Sequence, residues 1–253
     1  MHAGEIQVGK RLVITPGGFT IRVRAIRVQG DEAQTASAGV RCALNLAGPE
    51  LDMSHISRGD WVVAPDIACA THRIDARLRM PTGSPPLKSG TRVHVHLAAK
   101  ACTGRLVVLQ GPVDACPCAD DTARIGTGPL VQIVLDRPIT AHWGDRFLLR
   151  NWSARSTLAG GFVLDPFARA RGRGRERRLA AQHALEQRDP IEALRRLFDV
   201  EAEGLDLDAF FLARNLPRDA RNRVLAAVDP LVIPHGRGTR AFARTEWNEL
   251  TRR

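Results

Sequence analysis

Three groups of residues have types and spacings that could do chemistry. The first is Gly4-Glu-Ile-Gln-Val-Gly-Lys10, which meets the G-x-x-x-x-G-K core of a phosphate-binding loop. Such a loop needs a Ser or Thr hydroxyl next, to hold magnesium, and a helix behind it. Here Arg11 follows and residues 12–16 have the pattern of extended chain, so a turn leading into a strand is the better reading. The second group is His94 and His96, two residues apart on one face of an alternating strand, a spacing that permits metal ligation. No third ligand is evident beyond His72 or His142, which favours a solvated or RNA-facing pair. The third is Cys116-Pro-Cys118, in a loop rich in Gly, Pro and Asp. A zinc site would need a second cysteine pair, which Cys69 and Cys102 do not supply, so free thiols are expected. No catalytic residue and no metal-ligand set is assigned, and no enzymatic activity is expected of this chain.

What remains is charge. Lys and Arg number 37 against 27 Asp and Glu, a formal net charge of +10, which points to a polyanionic partner, RNA or DNA before anionic lipid. Only Lys10, Lys88 and Lys100 are lysines, so the abundance of arginine does not by itself mark phosphate sites. Hydrophobic content of 44% is enough for packed cores. No run of about 18 apolar residues is present, so no membrane partner is expected. The opening MHAGEIQVGKRL lacks the apolar core of a secretory signal, and an odd count of 5 cysteines suits a reducing compartment. A cytoplasmic location is the expectation.

The elements that carry these residues are of two kinds, meeting at Pro166. Before it, apolar and polar residues alternate between Gly and Pro breaks. Residues 11–15 and 20–28 predict strands, 30–38 a polar loop, and 40–46 a strand with Val40, Cys42, Leu44 and Leu46 on one face. Residues 51–57 predict a helical turn and 57–65 a turn with a strand. Five short strands are fewer than a closed barrel of this size uses, so the chain is expected to begin inside a domain. From about Thr71, Ile74, Ala76, Leu78 and Met80 alternate, as do Val93, Val95 and Leu97. Residues 106–109, 130–135, 147–150 and 162–164 predict further strands. The last two are separated by a bend at Gly160-Gly161, and Asp165-Pro166 ends the ladder.

Beyond Pro166, arginines at 169, 171, 173, 175, 177 and 178 predict a solvated linker that could also serve as a phosphate-contacting arm. The chain is then helical from about residue 176. Ile191, Leu194, Leu197 and Phe198 form one apolar stripe behind an Asp189-Pro190 cap. Leu207, Phe210 and Phe211 form a second. A third helix from Leu216-Pro217 turns Val224, Leu225 and Val228 inward. Two strands follow, 231–234 and 240–243, around His235-Gly-Arg-Gly238, with a closing helix over 245–253. Three helices and a basic hairpin describe a winged helix. Its third helix (Arg218, Arg221, Arg223) and wing (Arg237, Arg240) are the usual nucleic-acid surfaces, although such domains also act as protein spacers.

Four segments in order, AGVRCALNLAG (38–48), ISRGDWVVAP (56–65), ACTGRLVVL (101–109) and LRNWSARSTLAGGFVLDP (149–166), carry a family resemblance. They resemble the bacterial selenocysteine-specific elongation factor, a translation GTPase family related to elongation factor Tu. The resemblance implies two small translation-factor β-barrels, at 1–68 (partial at its N-terminus) and 69–166. An arginine-rich linker follows at 167–178, and an α+β winged-helix domain at 179–253. Nothing resembles the family's GTPase domain, so the GTP and magnesium of the full-length family are not expected here and the chain looks like an internal piece.

The partners implied are selenocysteyl-tRNA and the ribosome. The selenoprotein messenger hairpin would be reached only through winged helices that this sequence lacks. By resemblance, Arg41 occupies the strand position where the family puts a basic residue facing the selenocysteine, and a cation there would favour the ionised selenol. The plainer reading of Arg41 is an exposed strand arginine. Arg105, His94 and His96 are the candidates for the tRNA-facing side of the second barrel. Three functions follow: an RNA-binding part of a factor acting at UGA codons, a winged-helix DNA-binding regulator with a β-rich effector domain, and an enzyme with a histidine metal site.

Overall fold

A computed structural model describes the chain except for residues 82–83, 113–127, 171–174, 202, 237, 245–246 and 248–253. Cys116 and Cys118, Arg171, Arg173, Arg237 and most of the expected closing helix therefore lie outside the described residues. The chain divides into two compact units, Met1–Ala70 and Thr71–Arg253.

The first unit is all β. Its strands are β1 (Glu5–Gln7), β2 (Arg11–Thr15), β3 (Phe19–Val28), β4 (Asp31–Ala33), β5 (Thr35–Ser37), β6 (Cys42–Ala47) and β7 (Trp61–Val63). A five-stranded sheet runs β4-β3-β2-β7 with β6 also on β3, and β1 pairs with β5. The Gly4–Lys10 stretch is thus a strand and a turn ahead of β2, with no helix behind it. Leu12, Ile14, Ile21 and Val23 fill the core as the alternation of β2 and β3 dictates, and Ile26 joins them because the register of β3 shifts between Val23 and Ala25. Residues 30–38, expected to be loop, instead form the two short strands β4 and β5. Each is only 3 residues long and held by pairing across the sheet, a tertiary cause invisible to local propensity. The strand expected over 40–46 begins at Cys42, leaving Val40 and Arg41 ahead of it.

The second unit opens with a closed antiparallel barrel of order β10-β11-β8-β13-β12-β9. Its strands are β8 (Thr71–Arg79), β9 (Arg92–Leu97), β10 (Lys100–Gln110), β11 (Leu130–Ile139), β12 (Arg146–Asn151) and β13 (Thr157–Asp165). Ile74, Ala76, Leu78, Val93, Val95, Leu97, Leu106, Val131, Ile133, Phe147, Leu149 and Val163 point inward and are fully buried. The bend expected at Gly160-Gly161 is absent, because both residues lie inside β13. A Cβ on Gly161 would sit 2.3 Å from the Phe147 ring and 2.9 Å from a Leu78 methyl, so this glycine answers to core packing rather than to a turn. The chain reverses instead at residues 152–156, where Asn151 Oδ1 accepts the backbone N–H groups of Arg155 (2.9 Å) and Ser156 (3.2 Å).

Among the described residues four helices follow: α1 (Arg175–Leu185), α2 (Pro190–Val200), α3 (Leu207–Ala213) and α4 (Arg218–Val228). The start of α1 agrees with the helical start expected near residue 176, although it overlaps the stretch 167–178 expected as linker, and α1 stands ahead of the three helices expected. Asp189 caps α2 through the N–H groups of Ile191 and Glu192, with Pro190 in the first turn, and Asp206 caps α3 through that of Ala209. A small sheet of order β14-β16-β15 completes the segment, with β14 at Leu205–Asp206, β15 at Leu231–His235 and β16 at Gly238–Phe242. Leu194, Leu197, Phe198, Phe210, Phe211 and Val224 form its core.

The helical segment docks on the barrel through α1. Leu179 joins Leu130, Leu164 and Trp143 in an apolar cluster on the outside of the barrel wall. Around it sit buried charges. Arg77 of β8 donates from Nε to Glu186 at 2.6 Å, and to the Gly128 carbonyl at 2.6 Å. Asp75 accepts from Arg178 at 2.9 Å, Gln182 at 2.9 Å and Gln132 at 2.8 Å. Trp143 donates to the Leu185 carbonyl at 2.7 Å, where α1 ends, and the Arg214 guanidinium lies 4.2 Å from the Trp143 ring centre.

Candidate nucleic-acid interface

The pleat of the barrel sorts its side chains: where Val93, Val95 and Leu97 face in, Arg92, His94 and His96 face out. Register aligns the neighbours. Arg105 of β10 stands opposite Arg92, Thr103 opposite His94, and Arg150 of β12 opposite His94 on the other side. Adjacent strands are about 4.8 Å apart, so Arg105 and Arg92 are direct neighbours across β10 and β9, while Arg150 of β12, level with His94, lies diagonally from Arg92 in the same basic cluster. Among the described residues no carboxylate pairs with any of the three. Like charges directly opposite each other destabilise a sheet, and an anion is the natural relief.

Trp152, the first residue of the β12–β13 turn, packs on Arg92 and His94 of this cluster. Its indole is 53% exposed. The Arg92 guanidinium carbon is 4.6 Å from its ring centre, and the His94 ring stacks at 5.4 Å. His94 Nε2 donates to the Trp152 carbonyl at 3.0 Å. His96, next along the outer face, lines a hollow of about 400 Å³ with Arg79, Arg146, Leu148 and Phe162, floored by Gly160 and Gly161. Arg79 and Arg146 each approach the Phe162 ring to 5.5 Å. His96 Nε2 is buried and has no hydrogen-bond partner. Among the described residues no group of three or more His, Cys, Asp or Glu side chains could hold a metal ion. The Cys102 thiol, turned into the barrel, is pushed up to about 11 by burial and stays protonated at neutral pH.

The other sequence-selected residues fare differently. Arg41 is exposed, but stands just before β6 rather than on it, in the first unit. Arg218 and Arg223 are exposed on α4. Five residues apart, they diverge by about 140° around the helix axis. Arg221 is half-buried: it donates to the Leu216 carbonyl at 2.7 Å and lies 5.8 Å from the Phe211 ring centre, a packing role. Arg240 donates to the Glu203 carbonyl at 2.9 Å. Of the arginine run, Arg178 is spent on Asp75, and Arg177 donates to the Val200 carbonyl at 2.9 Å and lies 3.5 Å from Glu201. The end of that run is therefore part of the joint rather than a free arm.

The joint is also where ionisation is most perturbed. Burial, aided by the neighbouring Asp75 charge, raises Asp165 to about 6 against the opposing Phe167 N–H, Arg178 and Arg169. Burial raises Asp75 as well, and lowers Arg214 to about 10.

Arg92, Arg150, Trp152, Arg79, Arg146 and Phe162 were not singled out from sequence. The signal was partly there, since Arg92 is in phase with His94 and His96 on β9. Partnership between β9 and β12, some 50 residues apart, was not.

This basic, aromatic face lies on the outside of a closed six-stranded antiparallel barrel. Residues 71–170 match the model of the selenocysteine-specific elongation factor β-barrel domain. The chain is 35% identical over 162 residues to the selenocysteine-specific elongation factor of Escherichia coli strain K12, covering 64% of this chain and 23% of that protein. It is similar in fold, with a TM-score of 0.68 at 21% identity, to a bacterial selenocysteine-specific elongation factor EF-Sec, over 98% of this chain and 37% of that one. Translation elongation factor SelB from Methanococcus maripaludis, in its apo form, gives a TM-score of 0.54 at 19% identity over 66% of this chain and 38% of its own.

The chain is similar to selenocysteine-specific elongation factors, and its residues 71–170 match their β-barrel domain. It spans about a quarter of the length of the relatives it matches by sequence. These likenesses give no support to a DNA-binding regulator. Among the described residues no helix is long and apolar enough to cross a membrane.

Proposed function

We propose that this chain is an RNA-binding part of a selenocysteine-specific translation factor. In this reading it grips selenocysteyl-tRNA through its β-units and acts, with the ribosome, in the cytoplasm in selenocysteine incorporation at UGA codons. The observation that carries the reading is the basic cluster of Arg105, Arg92 and Arg150 beside Trp152, without a carboxylate partner among the described residues, on a barrel that matches the selenocysteine-specific elongation factor domain. Such a face matches a phosphate backbone flanked by planar groups. No residue is assigned a catalytic role, and none is assigned to GTP or magnesium; hydrolysis belongs to the GTPase domain of longer relatives. Arg41 is proposed to face the aminoacyl group. The helices and hairpin of residues 175–244 are proposed to be a winged-helix domain whose exposed Arg218 and Arg223 add phosphate contacts.

The test is a binding titration against selenocysteine tRNA, an ordinary elongator tRNA and duplex DNA at several salt concentrations. Selenocysteine tRNA is expected to bind most tightly. Arg92→Ala with Arg105→Ala is expected to flatten the slope of log affinity against log salt by roughly 1.5, since each phosphate contact contributes about 0.7–0.9. Equal, weak binding of all three nucleic acids, unaffected by the double substitution, would sink the proposal.

A further inference from the structure

We infer that Trp152 is a stacking platform for one unpaired nucleobase of the bound RNA. This inference rests on the RNA-binding reading and deepens it. A tryptophan at the start of a hairpin turn is poorly placed to stabilise the fold, and 53% of its surface remains exposed. It is nonetheless held in position. The His94 ring stacks against the indole at 5.4 Å, and its Nε2 fixes the Trp152 carbonyl at 3.0 Å. Arg92 holds the ring at 4.6 Å. The turn beneath is locked by Asn151, whose side chain accepts two backbone N–H groups, and by the Ala154 N–H to Asn151 carbonyl bond at 2.7 Å.

Large, planar, exposed and immobilised, the ring meets the requirements of base stacking without paying for ordering at the moment of binding. Arg92 lies against it and Arg150 stands opposite His94, both without a carboxylate partner among the described residues, and Arg155 is exposed three residues on in the same turn. Phosphates on either side of a stacked base would meet them. The charge favours nucleic acid over an apolar protein partner. The open indole favours an unstacked base over a duplex, whose bases present no free π-face.

The full chain is titrated with a hepta-uridylate, with an RNA duplex of the same length and with selenocysteine tRNA, following indole fluorescence and affinity together. Trp152→Leu is expected to weaken hepta-uridylate and tRNA binding about tenfold while leaving the salt slope unchanged. Trp152→Phe should fall between the two. Quenching seen in the wild-type chain should vanish in Trp152→Leu, although Trp61, Trp143 and Trp247 remain. Because Trp152 sits on an exposed turn, circular dichroism should be unchanged.

Undiminished tRNA affinity in Trp152→Leu, with Arg92→Ala and Arg105→Ala still flattening the salt slope, would overturn this inference while leaving the proposed function standing. Equal losses for duplex and single strand would also overturn it. Failure of the wild-type chain to bind any RNA would overturn both.

Discussion

Glu186→Ala should unfasten the helical segment from the barrel. The side chains of Arg77 and Glu186 are only 2% and 3% exposed, so removal of the carboxylate leaves a guanidinium buried. Its remaining partners would be the Gly128 carbonyl at 2.6 Å and His183 Nδ1 at 3.5 Å, neither of them charged when the imidazole is neutral. His183 would itself lose Glu186, 3.3 Å away. Breaking one partner of a buried pair costs about 3–5 kcal/mol. For a unit of this size that corresponds to a fall in Tm of roughly 10 °C. Arg77→Met combined with Glu186→Leu removes both charges and keeps the volume, and should recover most of the loss, because desolvation of the pair then disappears as well. Urea unfolding of the wild type, Arg77→Met, Glu186→Leu and the double variant closes the cycle, with Glu186→Ala measured beside it. A loss below about 1 kcal/mol in Glu186→Ala, or a double variant no more stable than the singles, would refute the view that the pair is desolvated and mutually dependent.

Asp165 predicts a pH dependence whose sign is opposite to that of an ordinary salt-bridged acid. Its carboxyl is raised from 3.8 to about 6, so between those values the unfolded chain releases the proton first and stability falls as pH rises, by about 3 kcal/mol, then levels off. Asp75, raised by burial too, adds in the same direction. Asp165→Asn keeps an acceptor for the Phe167 N–H, and should flatten this part of the curve and stabilise the chain at pH 7.5; denaturant midpoints from pH 4 to 8 check it. Gly161→Ala should cost about 1–3 kcal/mol by thermal melting, as the new methyl meets the Phe147 ring. A neutral result would mean that the ring can swing aside.

The sequence made the barrel walls legible because each inward run, such as Ile74-Ala76-Leu78 or Val93-Val95-Leu97, states its own pleat. Helix caps were legible for the same local reason, Asp189-Pro190 being a complete signal in two residues. What failed depended on partners far along the chain. Gly160-Gly161 looked like a bend because glycine alone suggests one, while its cause lies in Phe147 on the neighbouring strand. Arg177 and Arg178 looked like a solvent arm, and the acid that claims Arg178 is 103 residues earlier. Trp152 carried no signal at all: a lone aromatic in a turn becomes a platform only when His94 and Arg92 arrive beneath it.

The charged joint bears on why α1 docks in one way. An apolar contact among Leu130, Leu164 and Leu179 would tolerate sliding, since methyl groups are nearly interchangeable. A shift of α1 by one turn, about 5.4 Å, would carry Glu186 away from Arg77, and Arg178 and Gln182 away from Asp75, stranding buried charges at several kcal/mol each. The ion pairs therefore penalise every register but one, while adding little net stability to that one. Arg214 extends the same logic to the end of the helix, where it donates to the carbonyls of Leu185, Gln187 and Arg188 while stacking on Trp143 of the barrel. Arg218 and Arg223 of α4 thus belong to the same unit as the Arg92, Arg105 and Arg150 cluster. If one RNA spans both faces, loss of Glu186 should weaken RNA binding even though Glu186 touches no RNA. The salt slope should drop toward that of the barrel cluster alone, and an unchanged slope would place α4 outside the RNA contact.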